Sequence, residues 1–540
     1  MEKWQTAEGV KDLTISLVEY GSVTGSEEEI GIMEFVDYEL RSLPYFKEHE
    51  GFLQTHYTDD GRKFVTAFVK SKTNTEKTVI LMGHLDVVDV EDYGEWKHLA
   101  FRPRELTKQM FEQKEQLPPI IQKDLEKDEW LFGRGTMDMK AGIAICMSMV
   151  EAASNGEFEG NIVFLAVPDE EVNSTGMRAA TPVLLDLAKQ HQLKYEVVWN
   201  TEPVFSTFPG DEQLYIYQGS LGKMLPGFYC FGEESHVAEP FSGLNGNFMT
   251  SYLTDAIELN PTLSEKVGKE KTPPPTSLLQ KDLKLDYSVQ IPHTAVMIFN
   301  LMTMKKTAKE VTGQLLKIAR STAEKIAIAY KDRETAFAEI HDYSPKERKI
   351  NVFTFQELLD YAIKTAGEDE VERRVSFIQA NETDGDEREL TIQMVNEIAS
   401  LCKELAPMIV LFYAPPYYPA VSSEENETVI GLCRYLTKEA KERLNINLET
   451  VHYFPGLSDL SYTSLGESAV HLHSLTKNMP LWNVSYNLPL KEMEELDMAV
   501  VNFGPLGKDP HSWTERLNVT YSFEKLPPLI KKGIHFIFSK

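Results

Sequence analysis

The chain is 540 residues long and carries 83 acidic against 55 basic side chains, a formal net charge of -28. That excess argues against a nucleic-acid or anionic-membrane surface, either of which needs Lys and Arg in surplus on some face. Hydrophobic residues make up 42% and charged ones 26%, a globular composition that excludes wholesale disorder, and the length exceeds what one core sustains, so two or more domains are expected.

Residues Met1 to Tyr20 mix Lys, Glu, Asp and Thr among apolar positions, unlike a secretion signal with its charged head and apolar core. No apolar run approaches the roughly 20 residues that cross a bilayer. Cys146, Cys230, Cys402 and Cys433 lie far apart, so neither a disulfide framework nor a thiolate zinc site is indicated and a reducing cytoplasm is the expected location. The first two hundred or so residues alternate short apolar runs with helical patterns, the signature of an open, mostly parallel sheet covered by helices. Strands are predicted at Val79–Met82, Asn161–Val167, Tyr195–Trp199 and, far along the chain, Met498–Phe503, each ending at a polar or acidic cluster. Ligands of open α/β sheets bind beyond the carboxyl ends of the strands, so the four clusters are expected to converge on one crevice.

Between them the texture changes. An alternating strand or hairpin is predicted over Leu214–Gly232, a helix after Asn245, a strand within Asp286–Met304 and a long charge-laced helix from Thr307 to about Glu339. Additional helices follow over Phe355–Leu405 around a polar loop, Asn381–Glu389, then the apolar run Met408–Tyr413 and a Pro-rich turn, Pro415–Pro419. The expected organisation is an α/β catalytic domain, its mostly parallel sheet sandwiched by helices, in two parts, 1–213 and 416–540. An α+β domain is inserted at 214–415, with an extra helical insertion near 355–405.

In Gly83-His84-Leu85-Asp86 the histidine and aspartate are two apart at a strand end and face the same side in extended chain, so one can ligate a metal while the other steadies it. A lone His-x-Asp is usually structural. The glycine-rich loop Gly133–Gly142 holds a single acid, Asp138, before an apolar helix, Ile143–Ala153, and taken alone it reads first as a helix-entry loop with Asp138 as the N-terminal cap. Pro168-Asp169-Glu170-Glu171 sets three acids directly after a buried-looking strand, where like charges are costly without cations among them, solvation being the alternative. Glu202 follows the strand ending at Trp199, and His511 stands in the loop after the last predicted strand. Imidazole and carboxylate donors at successive strand ends suit zinc.

In this order the residues resemble the zinc metallopeptidase family that contains glutamate carboxypeptidase, aminoacylase, acetylornithine deacetylase and succinyl-diaminopimelate desuccinylase. With its Tyr- and Pro-rich stretch before Ala420, the chain looks most like the arginine-utilisation (RocB-like) branch. The resemblance implies Asp138 as a carboxylate bridging two zinc ions, with cobalt or manganese as substitutes. His84 and Glu202 would complete one site, Glu171 and His511 the other. It implies Glu170 as general base and Asp86 as the partner of His84. Glu234-Ser235-His236-Val237, followed by Pro240, Gly243 and Asn245, resembles the family's lid motif, whose histidine stabilises the tetrahedral oxyanion and in some dimeric members comes from the partner subunit. His236 takes that role by resemblance; Asn245 reads as a substrate contact or a helix cap. Pro455-Gly456-Leu457-Ser458-Asp459 resembles the segment that lines the substrate pocket, with Ser458 and Asp459 as contacts or simply a turn. Phe299–Met304 lacks the arginine with which many relatives grip a substrate carboxylate.

The function expected from the resemblance is metal-assisted hydrolysis of an amide or peptide bond in a small amino-acid-derived or peptide substrate, in arginine catabolism, by a homodimer joined through the lid domain. A metal-binding regulatory protein that has lost activity is the alternative, although Glu170 and His236 are both present. Two-metal phosphoester hydrolysis would need cationic phosphate clamps, which the sequence does not offer.

Overall fold

The computed structural model describes all residues except 1, 128, 206–209, 340–342, 346, 382–385 and 467–468. They divide into two compact units, Met1–Leu221 with Val421–Leu465 and Pro489–Lys540, and Gly222–Ala420 with Gly466–Leu488.

The first unit is built on an eight-stranded sheet in the order Leu53–Tyr57, Lys63–Val69, Asn161–Val167, Lys77–His84, Lys194–Asn200, Val500–Asn502, Leu214–Tyr217, Leu448–Val451. Its centre is parallel: Asn161–Val167 and Lys194–Asn200 flank Lys77–His84, and Val500–Asn502 continues beside Lys194–Asn200. Continuous apolar runs fit this centre because both faces are covered, and every residue of Asn161–Val167 is buried. Val79, Leu81, Ile162, Phe164, Val197 and Trp199 share one core with residues of the helices Ala7–Val18, Ala141–Ser154 and Leu526–Phe538. In register His84 pairs with Val167, Met82 with Asn200, and Asn200 with Asn502, so four strand ends reach the same edge of the sheet. A small second sheet pairs Arg516 with Phe132 and Lys508 with Arg516, tying the segment before Asp138 to the loop of His511.

The second unit carries a five-stranded sheet in the order Thr276–Asp282, Thr294–Thr303, Gly222–Phe231, Met408–Tyr418, Asn351–Thr354, antiparallel except for the last pair. Tyr229, Val296, Ile298, Val410 and Phe412 pack with Leu358, Ala362, Val395 and Ile398 from the helices Phe355–Ala366 and Glu387–Ser400, so the added helices supply the core of one sheet face. The long helix Ala308–Ala338 starts at a reciprocal cap between Thr307 and Glu310.

Two local expectations turn out otherwise. The stretch Leu214–Gly232 is not one hairpin: Leu214–Tyr217 joins the first sheet, parallel to Leu448–Val451, while Gly222–Phe231 belongs to the second. The Pro-rich turn is the end of the strand Met408–Tyr418, whose pairing with Gly222–Phe231 shifts between Ala414 and Tyr418, because prolines donate no ladder hydrogen bond. Of the polar loop Asn381–Glu389, residues 382–385 lie outside the described residues, and Glu387 already begins a helix.

Candidate metal centre

His84 is the last residue of its strand and is fully buried. Its Nδ1 donates to the main-chain oxygen of Asp86 at 2.9 Å, while the Asp86 carboxylate stands 3.5 Å away. This leaves the Nε2 lone pair for a ligand, and Nε2 lies 3.3 Å from Asp138 Oδ1 and 3.3 Å from Glu202 Oε1. The Asp86 carboxylate is engaged elsewhere. Its oxygens accept the N–H groups of Glu170 at 3.1 Å and Glu171 at 3.2 Å and the Thr24 hydroxyl at 2.9 Å, which fixes the acidic loop against the His84 strand. Burial opposes its charge, but His84, Thr24 and the Glu170 N–H hold its pKa below the usual carboxylate value.

Asp138 presents one oxygen to each histidine: Oδ1 to His84, and Oδ2 to His511 Nε2 at 3.3 Å. Glu171 Oε1 completes the second group, 3.1 Å from the same His511 nitrogen. Donor atoms bound tetrahedrally at about 2.0–2.2 Å from one zinc stand about 3.3–3.6 Å apart; the three 3.3 Å spacings match that range and the His511–Glu171 spacing is slightly shorter, so the donors are close enough to share ions. Suitable atoms of His84, Asp138 and Glu171 also lie within 4.8 Å of one another. Glu170 Oε2 is 4.0 Å from His84 Nε2, beside the donors rather than among them.

The electrostatics describe a crowded acidic pocket. Burial pushes Glu202 up to about 8, His84 opposing and Asp138 adding to it. Burial and the charges of Glu202, Asp459 and Glu171 raise Glu170 well above the ordinary carboxyl value, against His84. Burial opposes charge on His511, yet its hydrogen bonds to Asp138 and Glu171 hold it up at about 11. Buried carboxylates packed this closely require protons or cations among them.

Asp459 is also buried, next to the acidic loop. Burial raises it to about 7, with Ser174 and the charge of His84 opposing. Ser458 is fully buried, and its hydroxyl has no hydrogen-bond partner among the described residues. His236 and Asn245 belong to the second unit. His236 is exposed, with Nδ1 accepting the Ala238 N–H at 3.1 Å, and Asn245 Oδ1 accepts the Asn247 N–H at 2.8 Å as the cap of the helix Gly246–Ile257.

Several supporting residues escaped the sequence reading. Arg134 and Glu515, both buried, form an ion pair at 2.9 Å, and the second Glu515 oxygen accepts the Met137 N–H at 3.3 Å next to Asp138. Arg134 also donates to Asp92 at 2.9 Å and to the Asp89 carbonyl at 3.2 Å. Glu29 accepts the Asp169 N–H at 3.0 Å. An arginine inside a glycine-rich loop and a glutamate four residues after a candidate ligand were the available signals for the Arg134–Glu515 pair.

Two histidine–carboxylate groups sharing one aspartate at the carboxyl edge of a parallel sheet make a candidate metal centre. The model of peptidase family M20/M25/M40 matches residues 80–525, and the chain belongs to that family. A Bacillus subtilis (strain 168) protein, YqjN, described as uncharacterized, is 49% identical over 98% of this chain and 96% of its own. Protein RocB of the same organism is 33% identical over 99% of this chain and 96% of its own, in keeping with the RocB-like resemblance. Among solved structures, the M20 family metallo-carboxypeptidase Sso-CP2 from Sulfolobus solfataricus aligns over 98% of this chain and 99% of its own, with a TM-score of 0.53 at 11% identity, which shows the shared fold. The family consists of metal-dependent peptidases, and this chain is accordingly a metallohydrolase acting on peptide or amide bonds.

Proposed function

We propose that the enzyme works with two zinc ions and hydrolyses the amide or peptide bond of a small amino-acid-derived substrate of arginine catabolism. The observation that carries this reading is Asp138, whose two oxygens face two separate histidine–carboxylate groups. His84, Asp138 and Glu202 would hold one ion, and Asp138, Glu171 and His511 the other. Metal ions bound there supply Lewis acidity towards a substrate carbonyl and acidify water towards neutral pH.

The chain's own residues supply the proton handling. Glu170 stands beside the donor atoms with a raised carboxyl pKa, suited to taking a proton from water and passing it to the leaving amine. Asp86 grips the backbone of Glu170 and Glu171 and, through its main-chain oxygen, fixes the His84 tautomer. His236 donates a hydrogen bond to the oxyanion, as the family resemblance implies, while Asn245, Ser458 and Asp459 contact substrate. The arginine assignment rests on the RocB-like resemblance, and Phe299–Met304, without an arginine, argues for substrates held other than by a free carboxylate.

The test is elemental analysis of the purified protein alongside hydrolysis of a panel of N-acyl amino acids and dipeptides, arginine-containing ones included, by wild type and Glu170→Ala. About two zinc ions per chain, and turnover lost in Glu170→Ala with the metal retained, are expected. A protein that binds no metal would sink the reading.

A further inference from the structure

His236 lies in a closed loop, 233–244, whose ends bond to each other: Glu233 N–H donates to Leu244 O at 2.9 Å and Leu244 N–H to Glu233 O at 2.8 Å. The outgoing arm is laced to a neighbouring segment, with Val237 N–H donating to Val289 O at 2.8 Å and Ile291 N–H to Ser235 O at 2.9 Å. The return arm is caught by two side chains from outside the loop. Tyr330, on the helix Ala308–Ala338, donates its hydroxyl to Gly243 O at 2.6 Å and reaches Pro240 O at 3.3 Å. Arg348 spans both arms: one guanidinium nitrogen pairs with the Glu233 carboxylate, and another donates to Phe241 O at 2.9 Å. The same guanidinium lies over the Tyr330 ring, 4.8 Å from its centre, and Phe241 packs edge-on against that ring at 5.6 Å.

The imidazole is oriented as well. Its Nδ1 accepts the Ala238 N–H at 3.1 Å, so the ring carries its proton on Nε2 and offers that N–H as a donor. A hydrogen-bond donor of this kind lowers a barrier only when it is held in place before the charge develops.

We propose that Arg348 and Tyr330 are positioning residues that fix the loop 233–244 and thereby present the Nε2–H of His236 to the reaction. This inference rests on the oxyanion role given to His236 above. The planar fork of Arg348 serves two acceptors on opposite arms, which a lysine ammonium cannot reproduce in the same geometry.

The test uses the full-length, zinc-loaded protein and has two readouts. In hydrogen–deuterium exchange, Arg348→Ala raises exchange in peptides covering 233–244 and leaves 308–330 unchanged. In kinetics on the fastest panel substrate, Arg348→Ala lowers kcat about 10-fold, part of the 10²–10³-fold that loss of an oxyanion donor typically costs. KM moves less than about 2-fold, because substrate binding is not touched. Arg348→Lys recovers only part of the loss. Tyr330→Phe, which keeps the ring under the guanidinium, loses less than Arg348→Ala and serves if that variant folds poorly. On a His236→Ala background Arg348→Ala lowers kcat no further. Unchanged exchange in 233–244, or the same fold-loss with and without His236, overturns the proposal while leaving the role of His236 intact. Wild-type kcat in His236→Ala overturns that role itself, a failure visible without any Arg348 variant.

Discussion

Replacing Arg134 by Met removes one half of the ion pair that ties the loop of Asp138 to the segment after His511. Both partners are buried, at 1% exposure for Arg134 and 0% for Glu515. Stranding one charge of such a pair typically costs about 3–5 kcal/mol. The second partner, Asp92, has a side chain 35% exposed and adds no more than about 1 kcal/mol. Glu515 has an escape: burial has pushed it up to about 7 even with Arg134 opposing, so without Arg134 it takes a proton at neutral pH. The loss in Arg134→Met is therefore expected near the lower bound, about 3 kcal/mol at pH 7, growing by up to about 1.4 kcal/mol per unit as pH rises and that proton is removed. Glu515→Gln strands a guanidinium that cannot lose its proton, and the loss belongs near the upper bound, about 5 kcal/mol. Urea unfolding followed by tryptophan fluorescence at pH 7 and pH 8.5 measures both variants and the double substitution. The double variant should fall short of the sum by at least about 2 kcal/mol. Additivity, or a loss below about 1 kcal/mol in Arg134→Met, would refute the clamp.

Asp138→Asn weakens both coordination groups at once, so zinc measured after dialysis should fall below one per chain, whereas His511→Ala should leave about one. Glu29 is pushed up to about 7, first by burial and then by the nearby Asp86 charge, so the folded protein keeps a proton that the unfolded chain releases above about pH 4.3. Stability in urea should therefore fall as pH rises from about 4.5 to 7 and level off above, and Glu29→Gln should remove up to about 1.4 kcal/mol per pH unit of that slope. Asn245→Ala should cost about 1 kcal/mol through the lost cap, while Asn245→Asp keeps the cap and the stability. If kcat/KM falls in Asn245→Asp, the substrate contact stands; if it does not, Asn245 only caps.

The parallel centre of the first sheet was legible because its strands are unbroken apolar runs, buried on both faces, and each ends where its acids or histidine begin. The register of those strands brings His84, Glu171 and Glu202 to one sheet edge, while Asp138 and His511 arrive through the small second sheet. What the sequence concealed is mostly non-local. Leu214–Tyr217 looks like the first arm of a hairpin because its neighbours in sequence also alternate, yet its sheet partner is Leu448–Val451, more than two hundred residues on. Arg134 and Glu515 are ordinary charged residues until the small sheet that pairs Phe132 with Arg516 brings them together. Arg348 follows a long helix in a polar stretch, where nothing in the sequence separates it from other surface arginines.

The strand Val500–Asn502 sits inside the first sheet, between Lys194–Asn200 and Leu214–Tyr217. During synthesis its two neighbours leave the ribosome first and wait for it. At about 5–20 residues per second, the roughly 300 residues between Glu202 and His511 take about 15–60 s. Throughout that interval the nascent first unit has a gap in its sheet and lacks one imidazole donor, so it exposes strand edges that other chains can pair with. Bringing donor residues together from positions so far apart in sequence is expected to leave those edges in need of cover until the strand arrives. Arrested chains ending before residue 500 should accumulate bound to folding factors, and release should follow the emergence of Val500–Asn502 and the loop of His511.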